Sequence, residues 1–355
     1  MVVADLVRSV ARRSPLALLA LGPLVVALDW LGAAGKLSIF LLAAAALIPL
    51  AWLIGEATDN AAYYTGPGIG GFLNATFGNA PELIIALVAV SDGLTDVVRA
   101  SLVGSIVGNL LLVLGFTLVF GQSGTIDRTS AGISLGMVAL ATLFVFVASV
   151  PGFHGDPDRH SLAKLSLPIA GVLLLTRIAV NHYALRRQRA LHEAADPTGE
   201  AGWPFRVALA VLGVATVITA FVTNSLVGSL QTFASRADLS EFLVAVVIVA
   251  IVGNAAEHGS AVLLARRGKV RLATEIALAS SAQVAGMLIP LVALTSWAIE
   301  PLALSFRPIE VGALAVAIGL PALVLARGRT TRLGGFVLLF GYAGLVAAFY
   351  YSGNR

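Results

Sequence analysis

Apolar residues run along this chain in long unbroken stretches rather than in alternation, and polar residues gather between them. At about 20 apolar residues per bilayer crossing, the pattern predicts eleven transmembrane helices. They fall at roughly 15–34, 36–57, 66–91, 95–121, 129–150, 160–182, 204–231, 238–265, 271–298, 308–326 and 331–351. The one sizeable polar connection is RRQRALHEAADPTGEAGW, Arg186 to Trp203, with five helices after the first on one side of it and five on the other. The expected organisation is an N-terminal helix within 1–35, a five-helix repeat at 36–183, a cytoplasmic linker at 184–203 and a second five-helix repeat at 204–355.

Polar positions inside the apolar stretches carry the repeat. GNAPE, Gly78 to Glu82, returns as GNAAE, Gly253 to Glu257, so that Gly78/Gly253, Asn79/Asn254, Ala80/Ala255 and Glu82/Glu257 are each 175 positions apart. Ser105 and Ser280 keep the same offset, each in the helix after its motif. Five crossings is an odd number, so the second copy enters the membrane from the opposite side. Such inverted repeats place a site near the bilayer midplane.

Composition agrees with the pattern. Of 355 residues, 58% are hydrophobic and 12% charged, with a mean hydropathy of +0.92, where soluble domains carry roughly 25% charge. The fold class is an all-α polytopic membrane protein; a β-barrel would show alternating segments of about ten residues. The chain lacks cysteine, which excludes disulfides, thiolate metal sites and cysteine nucleophiles. The net charge of +4 comes from loop arginines and implies no nucleic-acid partner.

Those arginines set the orientation. With the N-terminus inside, Arg8, Arg12, Arg13, Arg128, Arg186, Arg187, Arg189, Arg206, Arg266, Arg267, Lys269, Arg271, Arg327, Arg329 and Arg332 are cytoplasmic, and Lys36, Arg99, Arg159, Lys164, Arg236, Arg307 and Arg355 face the other side. This is the positive-inside asymmetry, N-in and C-out. The first apolar run is too long for a signal peptide and is read as a retained helix. Compact length and an Ala/Gly/Arg-rich composition suggest a prokaryotic cytoplasmic (inner) membrane.

The chemistry centres on Glu82 and Glu257, because an acid at membrane depth is costly unless it faces a partner or a wet cavity. In oppositely oriented helices the two carboxylates can approach each other and repel, and either a divalent cation or protons relieve that repulsion. A group that takes one or the other by turns is the core of an exchanger. Gly78, Pro81 and Gly253 loosen the helix and free carbonyls near the acids. Ser105, Asn109, Ser280, Ser281 and Gln283 offer further oxygens of the kind hard cations accept, although each equally suits a plain interhelical hydrogen bond. His258 carries an imidazole, a group that unperturbed titrates near neutral pH, but it points about 100° from Glu257 on a helix; a structural or gating role weighs as much as proton transfer. Glu56 is either a helix-end acid at the interface or a cytoplasmic entry or proton-relay group. Glu241 reads as a first-turn acid, and HGDPDRH, His154 to His160, as a solvated loop. HExxH, Asp-rich diphosphate and Gly-x-Ser-x-Gly motifs are absent, which disfavours an enzyme.

With GNAPELI and SEFLVAVVIVAIVGNAAEHGSAV in view, the chain resembles the Ca²⁺/H⁺ antiporter (CAX) family of the cation/Ca²⁺ exchanger superfamily. The resemblance implies that Glu82 and Glu257 bind Ca²⁺ and exchange it for protons, with Asn79 and Asn254 in the same motifs. It also implies that Ser105, Asn109, Ser280, Ser281 and Gln283 match polar positions of the neighbouring helices. Ca²⁺ would leave the cytosol against returning protons, with no cofactor, as two outer helices slide against a rigid core. The partners so implied are Ca²⁺, protons and the lipid bilayer; an oligomer is compatible with the sequence and not determined by it. Departures are Pro81, where many relatives carry Thr or Val; Gln231, where an acid is common; and a linker whose only acids are Glu193, Asp196 and Glu200. Exchange of Na⁺ for Ca²⁺ or another divalent cation is the nearest alternative, and a cation channel a more distant one.

Overall fold

A computed structural model describes residues 16–153, 160–191 and 202–352. His154 to Arg159 and the linker acids Glu193, Asp196 and Glu200 lie outside the described residues. The elements are α1 (Leu21–Trp30), α2 (Lys36–Phe77), α3 (Ala80–Ser91), α4 (Thr95–Phe120), α5 (Arg128–Gly152), α6 (His160–Leu191), α7 (Phe205–Arg236), α8 (Glu241–Gly253), α9 (Ala255–Arg266), α10 (Val270–Ala298), α11 (Pro308–Leu325) and α12 (Arg332–Ser352). Among the described residues the only β pairing is an isolated bridge between Thr125 and Arg329.

Among the described residues eight helices are long and apolar enough to cross a membrane, and α8 with α9, bent by 61° at their break, makes a ninth if the pair is counted as one span. The other two expected crossings coincide with the shorter apolar helices α1 and α3, so a count of eleven full spans is not established. One difference has a clear cause. The polar run after residue 57 reads as the end of a span, yet α2 continues through it to Phe77. Its polar side chains are absorbed locally: Thr58 Oγ1 donates to Ile54 O (2.7 Å) and Asn60 Nδ2 to Glu56 O (2.8 Å).

Element boundaries recur at the offset of 175. α3 and α9 start at Ala80 and Ala255 and end at Ser91 and Arg266; α4 and α10 start at Thr95 and Val270. The turns between them carry Gly93 and Gly268, both at positive φ (72° and 81°), a conformation that glycine adopts without a Cβ clash.

The chain packs as two compact units that cut across the sequence halves. One comprises Met1–Val88 with Ile178–Arg236, the other Ala89–Arg177 with Ala237–Arg355. In the first unit α2 lies along α7. Phe40 stacks on Phe233 with ring centroids 4.1 Å apart, Trp30 meets Phe221 edge-on, and Lys36 pairs with Asp29 at 2.9 Å. At the other end of this unit buried Trp203 packs with Ala57, Ala61, Ala80 and Ala208. Its N–H donates to Asn60 Oδ1 (3.0 Å) and its carbonyl accepts from Tyr64 Oη (3.1 Å).

The second unit is built around α4 and α10, 83% and 72% buried over their apolar windows, against 22% for peripheral α12. Each contains a wide π turn, Gly108–Val113 in α4 and Val284–Leu288 in α10, and α8 has a third at Val244–Val249. Gly104 lets α4 approach α8 so closely that a Cβ there would collide with the Val246 carbonyl.

Candidate functional site

The local sequence dictates where the helices break. In the second unit Asn254 stands between α8 and α9 with φ −96° and ψ 8°. Its side-chain Nδ2 donates back to Ala250 O at 2.9 Å, the kind of local bond by which Asn competes with helix propagation. Gly253 ends α8, and Glu257 is the third residue of α9. In the first unit Gly78 and Asn79 separate α2 from α3, Pro81 is the second residue of α3 and Glu82 the third. Proline fits there because first-turn N–H groups have no intrahelical partner. Both glutamates thus sit in the first turn after a break, where unsatisfied N–H groups and the helix dipole favour negative charge.

Around Asn254 the second unit assembles a buried polar network. Asn254 Nδ2 donates to Ser105 Oγ (2.9 Å), while Asn109 Nδ2 donates to Ser280 Oγ (3.0 Å) and, at 3.5 Å, to Asn254 Oδ1. The Ser280 hydroxyl donates in turn to a Glu257 carboxylate oxygen. Ser105, Asn109, Asn254 and Ser280 are all buried, and Glu257 is partly exposed. Asn109 thus starts two branches: one runs through Ser280 to the Glu257 carboxylate, which ends it as an acceptor, and the other through Asn254 to the Ser105 hydroxyl. Amide and hydroxyl oxygens keep spare lone pairs, so the cluster presents one acid among neutral oxygens. That donor set suits a hard cation rather than a soft one. Among the described residues no three His, Asp or Glu side chains are grouped to hold a metal by themselves.

One hydroxyl expected at the site does not join this network. Ser281 turns away, its hydroxyl donating to Ala277 O of its own helix at 2.9 Å. Gln283 is partly buried and is the last residue before the π turn of α10. His258 diverges from Glu257 as helical geometry requires: its imidazole lies beside Gly108, at the π turn of α4, and its Nε2 is buried with no hydrogen-bond partner. In the first unit Asn79 and Glu82 are both buried at the break, and Glu56 is partly buried within α2. The π turns and the Gly104 contact escaped the sequence reading; a GxxxG spacing at Gly104 and Gly108, which permits close helix approach, was the available signal.

The chain matches the model of the sodium/calcium exchanger protein family over residues 36–179 and again over 207–351. It is 34% identical to a Ca²⁺/H⁺ antiporter of Synechocystis over 360 residues, covering 95% of this chain and 96% of that one. It is also 34% identical to the Ca²⁺/H⁺ antiporter ChaA of Bacillus subtilis, covering 86% and 89%. Among solved structures, native YfkE superposes with a TM-score of 0.79 at 30% identity over 95% of this chain and 99% of that one. With an all-helical fold, a family match in both halves and near full-length likeness to these transporters, the chain belongs to the sodium/calcium exchanger family.

Proposed function

We propose that this protein is a secondary active antiporter that exchanges Ca²⁺ for H⁺ by alternating access, with Glu82 and Glu257 taking Ca²⁺ or protons in turn. The observation that carries the reading is the buried Ser105–Asn254–Asn109–Ser280 network ending on Glu257 at a helix break. A Ca²⁺ ion arriving there finds a carboxylate and several neutral oxygens already converging. A proton arriving at Glu257 cancels the charge that draws the ion, so the two cargoes compete. Asn79, at the matching break beside Glu82, has the equivalent role in the first unit. The likeness to named Ca²⁺/H⁺ antiporters supports protons as the coupling ion. Two compact units that each combine segments of both sequence halves support the alternation. The membrane is a prokaryotic inner membrane, with the N-terminus inside and the C-terminus outside.

Reconstitution into proteoliposomes tests this. Ca²⁺ uptake should follow an imposed pH gradient, persist without Na⁺ and move protons the opposite way. Glu82→Gln and Glu257→Gln should each reduce uptake to that of empty vesicles while the protein still elutes as a folded species. Uptake driven only by a Na⁺ gradient would instead assign Na⁺ coupling. Normal uptake by either variant would remove that glutamate from the mechanism.

A further inference from the structure

Between α10 and α11 the chain does not form a helix, yet it is buried. Leu302, Ala303, Leu304, Ser305 and Phe306 are each at most 2% exposed. Irregular backbone at such depth must find partners for its N–H groups. Here three alternate N–H groups donate to three serines: Leu302 to Ser296 Oγ (3.2 Å), Leu304 to Ser166 Oγ (2.7 Å) and Phe306 to Ser149 Oγ (2.8 Å). These serines belong to α10, α6 and α5, so the segment is a strap fixed to three helices of the second unit.

Arg99 of α4 reads this strap. It is 1% exposed, donates to the Ala303 carbonyl (3.4 Å) and pairs with Asp96 at 2.7 Å. Asp96 also binds Arg307 at 2.5 Å. Arg307 follows the strap; its backbone N–H donates to Glu310 of α11 (2.7 Å), and its guanidinium covers the Phe242 ring of α8 at 5.0 Å. Two guanidiniums and two carboxylates thus join the outer ends of α4, α8 and α11 to the strap that leaves α10.

We propose that Arg99 is a positioning residue for ion exchange: by locking α4 to the strap, it sets the height at which Ser105 and Asn109 face Asn254 and Ser280. Dispersion and burial are not directional, so apolar packing sets the axial register of a helix less sharply than hydrogen bonds and ion pairs do. Directed polar contacts therefore fix the register. Ser105 and Asn109 lie six and ten residues beyond Arg99, about 9 and 15 Å along a rigid helix. The strap continues directly from α10, which carries Ser280. Arg99 therefore ties together, at one end, the two helices whose side chains meet in the network. The hydrogen bonds there are 2.9 to 3.5 Å long, and a shift of about 1 Å would break them.

This inference rests on the network being the ion site, and its test separates the two. Full-length Arg99→Gln, Arg99→Lys and Ser149→Ala would be reconstituted, and KM, turnover and the Ca²⁺-to-Sr²⁺ KM ratio measured per folded transporter. Arg99→Gln should raise the Ca²⁺ KM about tenfold, keep turnover within about threefold, and shift the Ca²⁺-to-Sr²⁺ ratio, since misaligned oxygens no longer fit one ionic radius. Arg99→Lys retains a cation beside Asp96 and should recover part of the loss. If Arg99→Gln does not fold, Ser149→Ala, which frees one strap N–H, should move KM and the ratio in the same direction by a smaller factor. An unchanged KM and ratio, with only the yield of protein reduced, would overturn the positioning role. Normal uptake by Glu257→Gln would overturn the site itself.

Discussion

Ser280 and Ser281 are neighbours of the same type in the same buried helix, and their roles differ. Ser280 links Asn109 to Glu257, whereas Ser281 bonds to its own preceding turn. Ser280→Ala removes the Ser280 partner of a buried Asn109 amide N–H and of a Glu257 carboxylate oxygen, a loss of about 1–3 kcal/mol. The Ca²⁺ KM measured in proteoliposomes should rise by about fivefold to a hundredfold. Ser281→Ala removes only a local bond, and uptake should stay within about twofold of the parent. From sequence the two are equivalent candidates, because a polar residue at membrane depth reveals its presence but not which of two directions about 100° apart faces the site. Glu82, Glu257 and the two asparagines stand out in the sequence for a stronger reason: the repeat states them twice, and each pair falls at a helix break. Competition between the cargoes adds a pH signature. Ligand carboxylates must be ionised to bind the metal, so the apparent Ca²⁺ KM should rise as pH falls on the loading side. The rise approaches about tenfold per pH unit if one proton is displaced and about a hundredfold if two are. A KM independent of pH would argue against shared carboxylates.

At the scale of helices, apolar runs located nearly every element, and the GNA motifs marked both breaks. What the pattern could not convey was the internal character of a helix. The polar stretch after residue 57 reads as an ending because isolated polar groups disfavour the bilayer, but Thr58 and Asn60 spend their donors on the preceding turn and α2 runs on. Nor does a run of apolar side chains distinguish an α turn from a π turn. The strap was hidden similarly: four of its five residues are apolar, and two of the three hydroxyls that satisfy it come from serines 138 and 157 positions away. Gly104 gives this scale its prediction. A methyl at that position meets the Val246 carbonyl, so Gly104→Ala must push α4 and α8 apart at a cost of about 1–3 kcal/mol. Its melting temperature in detergent should fall, and its uptake should be lost, because Ser105 is the next residue. An unchanged melting temperature would mean that the helices accommodate the methyl without separating.

For the molecule as a whole, the sequence suggested a division into halves at 36–183 and 204–355, while packing divides the chain differently, with α2 and α7 in one unit. Connectivity along the chain identifies repeats; it does not identify which helices share contacts, and only the latter defines what moves as one body. The absence of native cysteine makes this testable. Phe40→Cys/Phe233→Cys, joined by a short bifunctional thiol reagent, would link α2 to α7 where their rings now stack. Because both helices belong to one unit, the linked protein should keep at least about half of its uptake. Loss of uptake on linking, restored on reduction, would show that these helices shift against each other during transport.

The π turns carry a consequence for the history of such chains. A π turn accommodates one more residue than the α-helix around it without disturbing either flank. Removing one residue from Gly108–Val113 would therefore restore plain helix and leave both flanks facing as they do now. Chains descended from a common ancestor can gain or lose a position here that in regular helix would rotate one flank by about 100°. In this part of the protein, inheritance can change the count of residues while preserving which of them face the site.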